Sequence, residues 1–231
     1  MMSVIQNLSL PKVIFETDSP YNGHIQVIEA GKTRRIIVDK VTQSLNWDSP
    51  SAQQRVWGRV VEVLKANEPN LSNILILGLG GGTMQHLISR GFDRLHMVSV
   101  ELDPVMVDIA KKFFDLDSIP NHRIIIEDAC RFIVEPEKYN YNPNVFNAVV
   151  VDIYVGSRYP DLGKSGNFIT AIKNLVRPGG LVMFNRIYTN EHQDEVNTFI
   201  DTIEMYLTDV KSVIVAGTTN SDNVIIYGRA Y

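Results

Sequence analysis

The chain has 231 residues, 45% of them hydrophobic and 21% charged, with a formal net charge of −4. That length buries a sizeable core in one large domain or in a domain with a small appendage, and the acidic balance counts against a nucleic-acid partner, which needs a basic face. The single Cys130 excludes an internal disulfide and paired-cysteine metal sites, no apolar run approaches the roughly 18 residues that span a bilayer, and "MMSVIQNLSLPK" lacks the basic and apolar regions of a signal peptide, so a cytoplasmic protein with no membrane and no metal is expected.

The first fifty residues read as short strands. "VIFETD", "HIQVIEA", "TRRIIVDK" and "VTQSL" are rich in β-branched residues, with "SPYNG" and "AGK" as turns. A small antiparallel β domain over residues 1–48 is expected, too small to hold without packing on something else. The period then changes. In "DSPSAQQRVWGRVVEVLKAN", Val56, Trp57, Val60, Val61 and Leu64 share one helical face, with Ser49 placed to cap the helix and Pro50 at its first position.

Strands are expected at 73–78, 96–101, 123–127, 146–152 and 180–185, with helices near 84–90, 104–114, 129–134, 165–176 and 191–206. Such alternation gives an α/β, doubly wound sheet of parallel strands with helices on both faces, over residues 49–231. "KSVIVAG" and "NVIIYGRA" read as closing strands around a "TTNSDN" turn, and "EKYNYNPNVFN" (137–147) as a polar surface loop.

"NILILGLGGGTMQHLISR" (73–90) reads as strand, glycine turn and helix. Gly78, Gly80 and Gly82 let the backbone turn sharply and a ligand approach without a Cβ in the way, although a glycine cluster is as readily a tight turn alone. Glu101 ends the next strand, where a carboxylate can accept from both hydroxyls of a ribose. Asp128 ends the third, where it can accept from an adenine amine. Asp103 before Pro104 reads as an ordinary helix cap. An NAD-binding turn asks for glycine where this chain has Thr83. With the third-strand acid, the expected ligand is an adenosyl sulfonium: S-adenosylmethionine or its decarboxylated relative.

The layout resembles the spermidine synthase (polyamine aminopropyltransferase) family over nearly the whole chain. "YNGHIQVIEAGKTRRIIVDKVTQSLNWDSPSAQQ" looks like its β domain and first helix. "ILGLGGGT", "VELDPVMVDIAKKFF", "IIIEDACRFI", "FNAVVVDIY" and "LVRPGGLVMFN" follow its motifs in order. The resemblance implies a class I methyltransferase-like (Rossmann-like) domain behind a small β domain, and a homodimer. It sets Gln43, Glu101, Asp128 and Ala129 against the nucleoside and makes Asp152 the carboxylate that handles the attacking nucleophile. Asp152 also has a case of its own, since it closes the apolar strand "NAVVVD" and must be solvated, paired or functional.

Two departures stand out. The family's glycine loop resembles G-G-G-D-G-G, whose aspartate holds the transferred aminopropyl amine; its counterpart here is read as Gly81. The family's D-x-x-D becomes "DIYV", with Val155 in the second place. Two missing carboxylates should weaken diamine binding severely, and aspartate at both positions is expected to restore part of it. The loop "VGSRYPDLGKSG" adds Arg158 and Lys164, which favour an anionic substrate or are simply solvated; Tyr154 and Tyr159 line an aromatic wall or pack beneath the loop.

Three functions remain open: methyl transfer from S-adenosylmethionine to a small-molecule acceptor, aminopropyl transfer from decarboxylated S-adenosylmethionine, and non-catalytic nucleoside binding. His24, His86, His96, His122 and His192 lack metal-ligand spacing and read as structural or surface residues, and Cys130 as a small hydrophobe.

Overall fold

The N-terminal segments pair in succession as β1 (Lys12–Ser19), β2 (Gly23–Ala30), β3 (Thr33–Val38) and β4 (Val41–Leu45), an antiparallel four-stranded sheet. The computed structural model describes residues 10–155, 158–217 and 222–231, with 162 and 163 described by backbone only. Strand alternation puts Ile25 opposite Val38 and Val27 opposite Ile36, all on one buried face. That face is covered by Met106 and Ile109 of a helix, α3 below, and by Phe114 just beyond it, which supplies the packing that so small a sheet needs.

The remaining elements are α1 (Val56–Asn67), β5 (Asn73–Leu77), α2 (Thr83–Gly91), β6 (His96–Glu101), α3 (Pro104–Phe113), β7 (His122–Ile126), α4 (Ala129–Val134), β8 (Phe146–Val151), α5 (Gly166–Leu175), β9 (Val176–Ile187), α6 (Gln193–Glu204), β10 (Thr208–Val215) and β11 (Asn223–Arg229). Seven strands form one sheet in the order β10-β11-β9-β8-β5-β6-β7. β9, β8, β5, β6 and β7 run parallel, and β11 is antiparallel to both its neighbours. The central strands are buried on both faces, which is why "ILIL" and "VVV" are unbroken apolar runs. α1 and α2 cover one face; α4, α5 and α6 cover the other.

The chain leaves β5 towards β6 and β7, then returns to β8 on the other side of β5. This reversal falls at the carboxyl ends of β5 and β8, the position at which an open α/β sheet holds its ligand. Two backbone bonds extend the ladders at these ends: Gly78 N donates to Val100 O of β6 over 2.8 Å, and Asp152 N donates to Leu77 O of β5 over 2.8 Å.

The expected start of the first helix is corrected. Residues 49–55 form successive turns, with Ala52 N to Ser49 O at 3.0 Å and Gln54 N to Ser51 O at 3.2 Å, and α1 begins at Val56. The Ser49 hydroxyl meets Thr33 at 3.1 Å and Ser51 at 3.3 Å instead of capping. Gly58 permits this packing, since a Cβ there would lie 1.9 Å from the Gln53 carbonyl oxygen. The segment 137–147 is also more than a surface loop: Tyr139 and Tyr141 pack on Phe132 at ring distances of 5.2 and 5.9 Å. The "TTNSDN" turn falls mostly outside the described residues. Among the described residues, no helix is long and apolar enough to cross a membrane.

Candidate active site

The glycine turn after β5 is shaped by protein contacts. Gly78 has φ +100°, and a Cβ there would lie 2.1 Å from the carbonyl oxygen of Asp152, so only glycine lets the two strand ends meet. Gly81 N donates to Ser44 Oγ over 2.7 Å. A Cβ on Gly81 would meet Ser44 Cβ at 2.8 Å and Ile36 Cδ1 at 3.0 Å, and one on Gly80 (φ +55°) would meet Ser44 Oγ at 2.7 Å. Gly82 precedes α2, whose Thr83 hydroxyl donates to Leu45 O and accepts from Leu45 N at 3.0 Å. β4 is thus fastened onto the turn, and Gln43 comes with it: its carbonyl oxygen is 3.6 Å from where a Gly80 Cβ would be.

The expected restoration by aspartates at Gly81 and Val155 meets an obstacle at Gly81. Aligned so that its last glycine falls on Gly82, the run G-G-G-D-G-G puts its aspartate at Gly80 rather than Gly81. Ser44 stands against both positions, and neither takes a carboxylate without displacing it.

Glu101 ends β6. One oxygen accepts from Leu79 N at 2.9 Å and the other from Asp103 N at 3.0 Å. Burial raises its carboxyl above the ordinary range, and the backbone donors oppose that shift. A carboxylate offers about four acceptor sites, so these bonds orient Glu101 and leave room for sugar hydroxyls. Asp128 Oδ1 accepts from Cys130 N at 2.6 Å and Arg131 N at 3.2 Å, capping α4. Asp103 caps α3 through Val105 N at 2.9 Å, so both acids are caps, and Asp128 has only part of its carboxylate left for a ligand. Ala129 opens α4 half-buried. Burial, aided by Asp128, pushes the Cys130 thiol up to about 11, which leaves it inert.

Asp152 follows β8, and its Oδ1 accepts from Asn185 Nδ2 at 2.7 Å. Asn223 Nδ2 donates to Asn185 Oδ1 over 3.0 Å, which turns the Asn185 amide so that its NH2 faces the acid. Part of the residue remains accessible, yet burial of the carboxyl pushes it up to about 6, with the Asn185 bond opposing. That places a base near neutrality. The Tyr154 hydroxyl donates to Asn185 O at 3.1 Å and accepts from Ile187 N at 2.9 Å, and its ring lies edge-on to Tyr159 at 5.7 Å. The two tyrosines are therefore a packed wall beside Asp152.

Arg158 is exposed and exchanges two backbone bonds with Val155, at 3.0 and 3.1 Å. Lys164 is not a free loop charge: it meets Asp161 at 2.9 Å and Glu195 at 3.0 Å. Among the described residues, no group of three or more His, Cys, Asp or Glu is placed to hold a metal ion. Sequence reasoning missed Ser44, Asn185 and Arg186. The last two end the apolar run "LVMF", the same strand-end signal that singled out Asp152.

A family model described as the spermine/spermidine synthase domain matches residues 57–230. The chain is 25% identical over 122 residues to the eEF1A lysine and N-terminal methyltransferase homolog of Drosophila pseudoobscura pseudoobscura, covering 52% of this chain and 18% of that protein. It is 28% identical over 130 residues to the polyamine aminopropyltransferase of Vibrio vulnificus, covering 54% and 41% respectively. The match spans less than half the length of either curated relative. The fold matches the crystal structure of spermidine synthase from Thermotoga maritima with a TM-score of 0.78 at 15% identity, over 95% of this chain and 73% of that one.

Proposed function

We propose, for a chain that belongs to the spermine/spermidine synthase domain family, adenosyl-dependent group transfer at the carboxyl edge of the seven-stranded sheet. The residues present fit such a cofactor. Glu101 is half-buried, held by backbone donors and has acceptor sites left for ribose hydroxyls; Asp128 caps α4, Ala129 opens it, and Gln43, within β4, lies beside the glycine turn. When bound, the cofactor supplies a carbon made electrophilic by its sulfonium. Asp152 orients the acceptor's nucleophile towards that carbon and takes its proton, a role suited to a carboxyl at about 6.

Methyl transfer from S-adenosylmethionine to a small acceptor is the favoured reaction. The observation that carries it is Ser44, packed against Gly80 and Gly81 where a diamine-binding acid would stand. Val155 in place of the second acid supports the same reading. Aminopropyl transfer from the decarboxylated cofactor is the second reading, supported by the likeness to spermidine synthase over 95% of the chain. Calorimetric titration of S-adenosylmethionine into wild type and Glu101→Ala tests the site. A loss of about 1–3 kcal/mol is expected for removing hydrogen bonds to a charged group; equal affinity would move the site elsewhere.

A further inference from the structure

Arg186 is 2% exposed and follows Asn185 directly in β9. Its Nη2 is paired with the Glu195 carboxylate, and its guanidinium stacks 4.0 Å from the Tyr159 ring centre and 4.7 Å from that of Phe199. Among the described residues, its Nη1 is buried without a hydrogen-bond partner. Burying a charged donor with its N–H groups unmet is costly, and such a group in a folded protein needs a reason. The acid it pairs with is moreover shared: Glu195 also meets Lys164 at 3.0 Å.

We propose that Arg186 Nη1 is the anion-recognising group of the acceptor pocket, and that the acceptor is a small acid carrying its nucleophile and a carboxylate on one molecule. This rests on the proposed transfer site at Asp152. Tyr154 and Tyr159 tie the two groups together: the Tyr154 hydroxyl bonds the backbone of Asn185 and Ile187, Asn185 itself holds Asp152, and the Tyr154 ring meets Tyr159, which lies 4.0 Å over the Arg186 guanidinium. An acid and a cation flanking one aromatic wall suit a molecule whose nucleophile faces Asp152 and whose carboxylate faces Arg186. A diamine offers nothing for Nη1 and finds no acid at Gly80, Gly81 or Val155. Arginine is also the side chain whose fork matches a carboxylate, and a charge-assisted bond made out of water is strong.

The experiment uses the full chain with ring-labelled tyrosine, followed by NMR with S-adenosylmethionine present. Succinate and putrescine are the two probes, at constant ionic strength. Because Tyr159 covers the guanidinium, anion entry shifts its ring signals whether or not turnover occurs. Succinate should move them and putrescine should not. Arg186→Met should weaken succinate roughly ten- to a hundredfold, the scale of one charge-assisted bond. Glu195→Gln removes the competing acid and should strengthen it. If Arg186→Met fails to fold, Glu195→Gln decides: a destabilised variant with unchanged succinate affinity makes Arg186 a structural cation and overturns the proposal. So does a wild-type Tyr159 signal that ignores succinate while the cofactor is bound. Absence of cofactor binding in the same samples would strike the transfer reading instead.

Discussion

Asn185 donates its side-chain amide to Asp152 over 2.7 Å, and Asn223 fixes that amide from behind over 3.0 Å. The bond favours the charged form of Asp152 and so opposes the burial that raises it. Asn185→Ala should therefore raise the carboxyl further, moving the acidic limb of the pH–rate profile upward while cofactor affinity stays the same. An NMR titration of the Asp152 carboxyl reads the same shift without turnover. A profile that does not move would mean the bond has no functional weight.

Asp152 itself costs stability near neutrality. A carboxyl raised to about 6 from its ordinary value of 3.8 binds its proton more tightly in the folded state. Its contribution is present below the unfolded value and is lost as pH rises through about 6. Asp152→Asn should then be more stable than wild type at about pH 7.5 by roughly 1–3 kcal/mol, with the advantage gone near pH 4. Turnover should fall at least about a hundredfold in the same variant. Chemical denaturation at the two pH values, beside an activity assay, separates the two effects.

His122 acts in the opposite direction. Burial pushes its imidazole down to about 4, and Nε2 sits 2.9 Å from Ser99 Oγ. A base depressed on folding contributes stability above its unfolded value, lost as pH falls from about 6.5 through about 4. His122→Gln should flatten the acid side of the stability curve relative to wild type. Parallel curves would mean that the imidazole titrates normally.

Gly81→Asp should destabilise the fold by about 1–3 kcal/mol, since its Cβ has to displace Ser44 and break the 2.7 Å bond from Gly81 N. Val155→Asp should be neutral to stability, because Val155 is 44% exposed. Putrescine affinity should remain poor in the first variant. A well-folded Gly81→Asp protein with tight putrescine binding would contradict the packing of Ser44.

The alternation of unbroken apolar runs with amphipathic helices made the doubly wound sheet legible, because strands buried on both faces have no polar side to confuse the period. Asp152 was visible for a related reason: a single carboxylate at the end of "NAVVVD" has few ordinary explanations. Ser49 misled because a good capping residue before proline satisfies every local preference, while the turns at 49–55 are set by packing against Gly58. The purpose of the glycines was hidden too. Their neighbours, the Asp152 backbone and Ser44, are 74 and 37 residues away, and one sequence carries no sign of such pairings. Arg186 had a signal, but a charge at a strand end reads as exposed until the aromatic rings around it are placed.

The most direct test of adenosyl-dependent transfer with a preference for methyl chemistry is calorimetry of the unmodified chain with S-adenosylmethionine and its decarboxylated form, side by side. Binding of S-adenosylmethionine at least about tenfold tighter, a difference of about 1.4 kcal/mol, is the predicted result. Tighter binding of the decarboxylated form, or binding of neither, would contradict it.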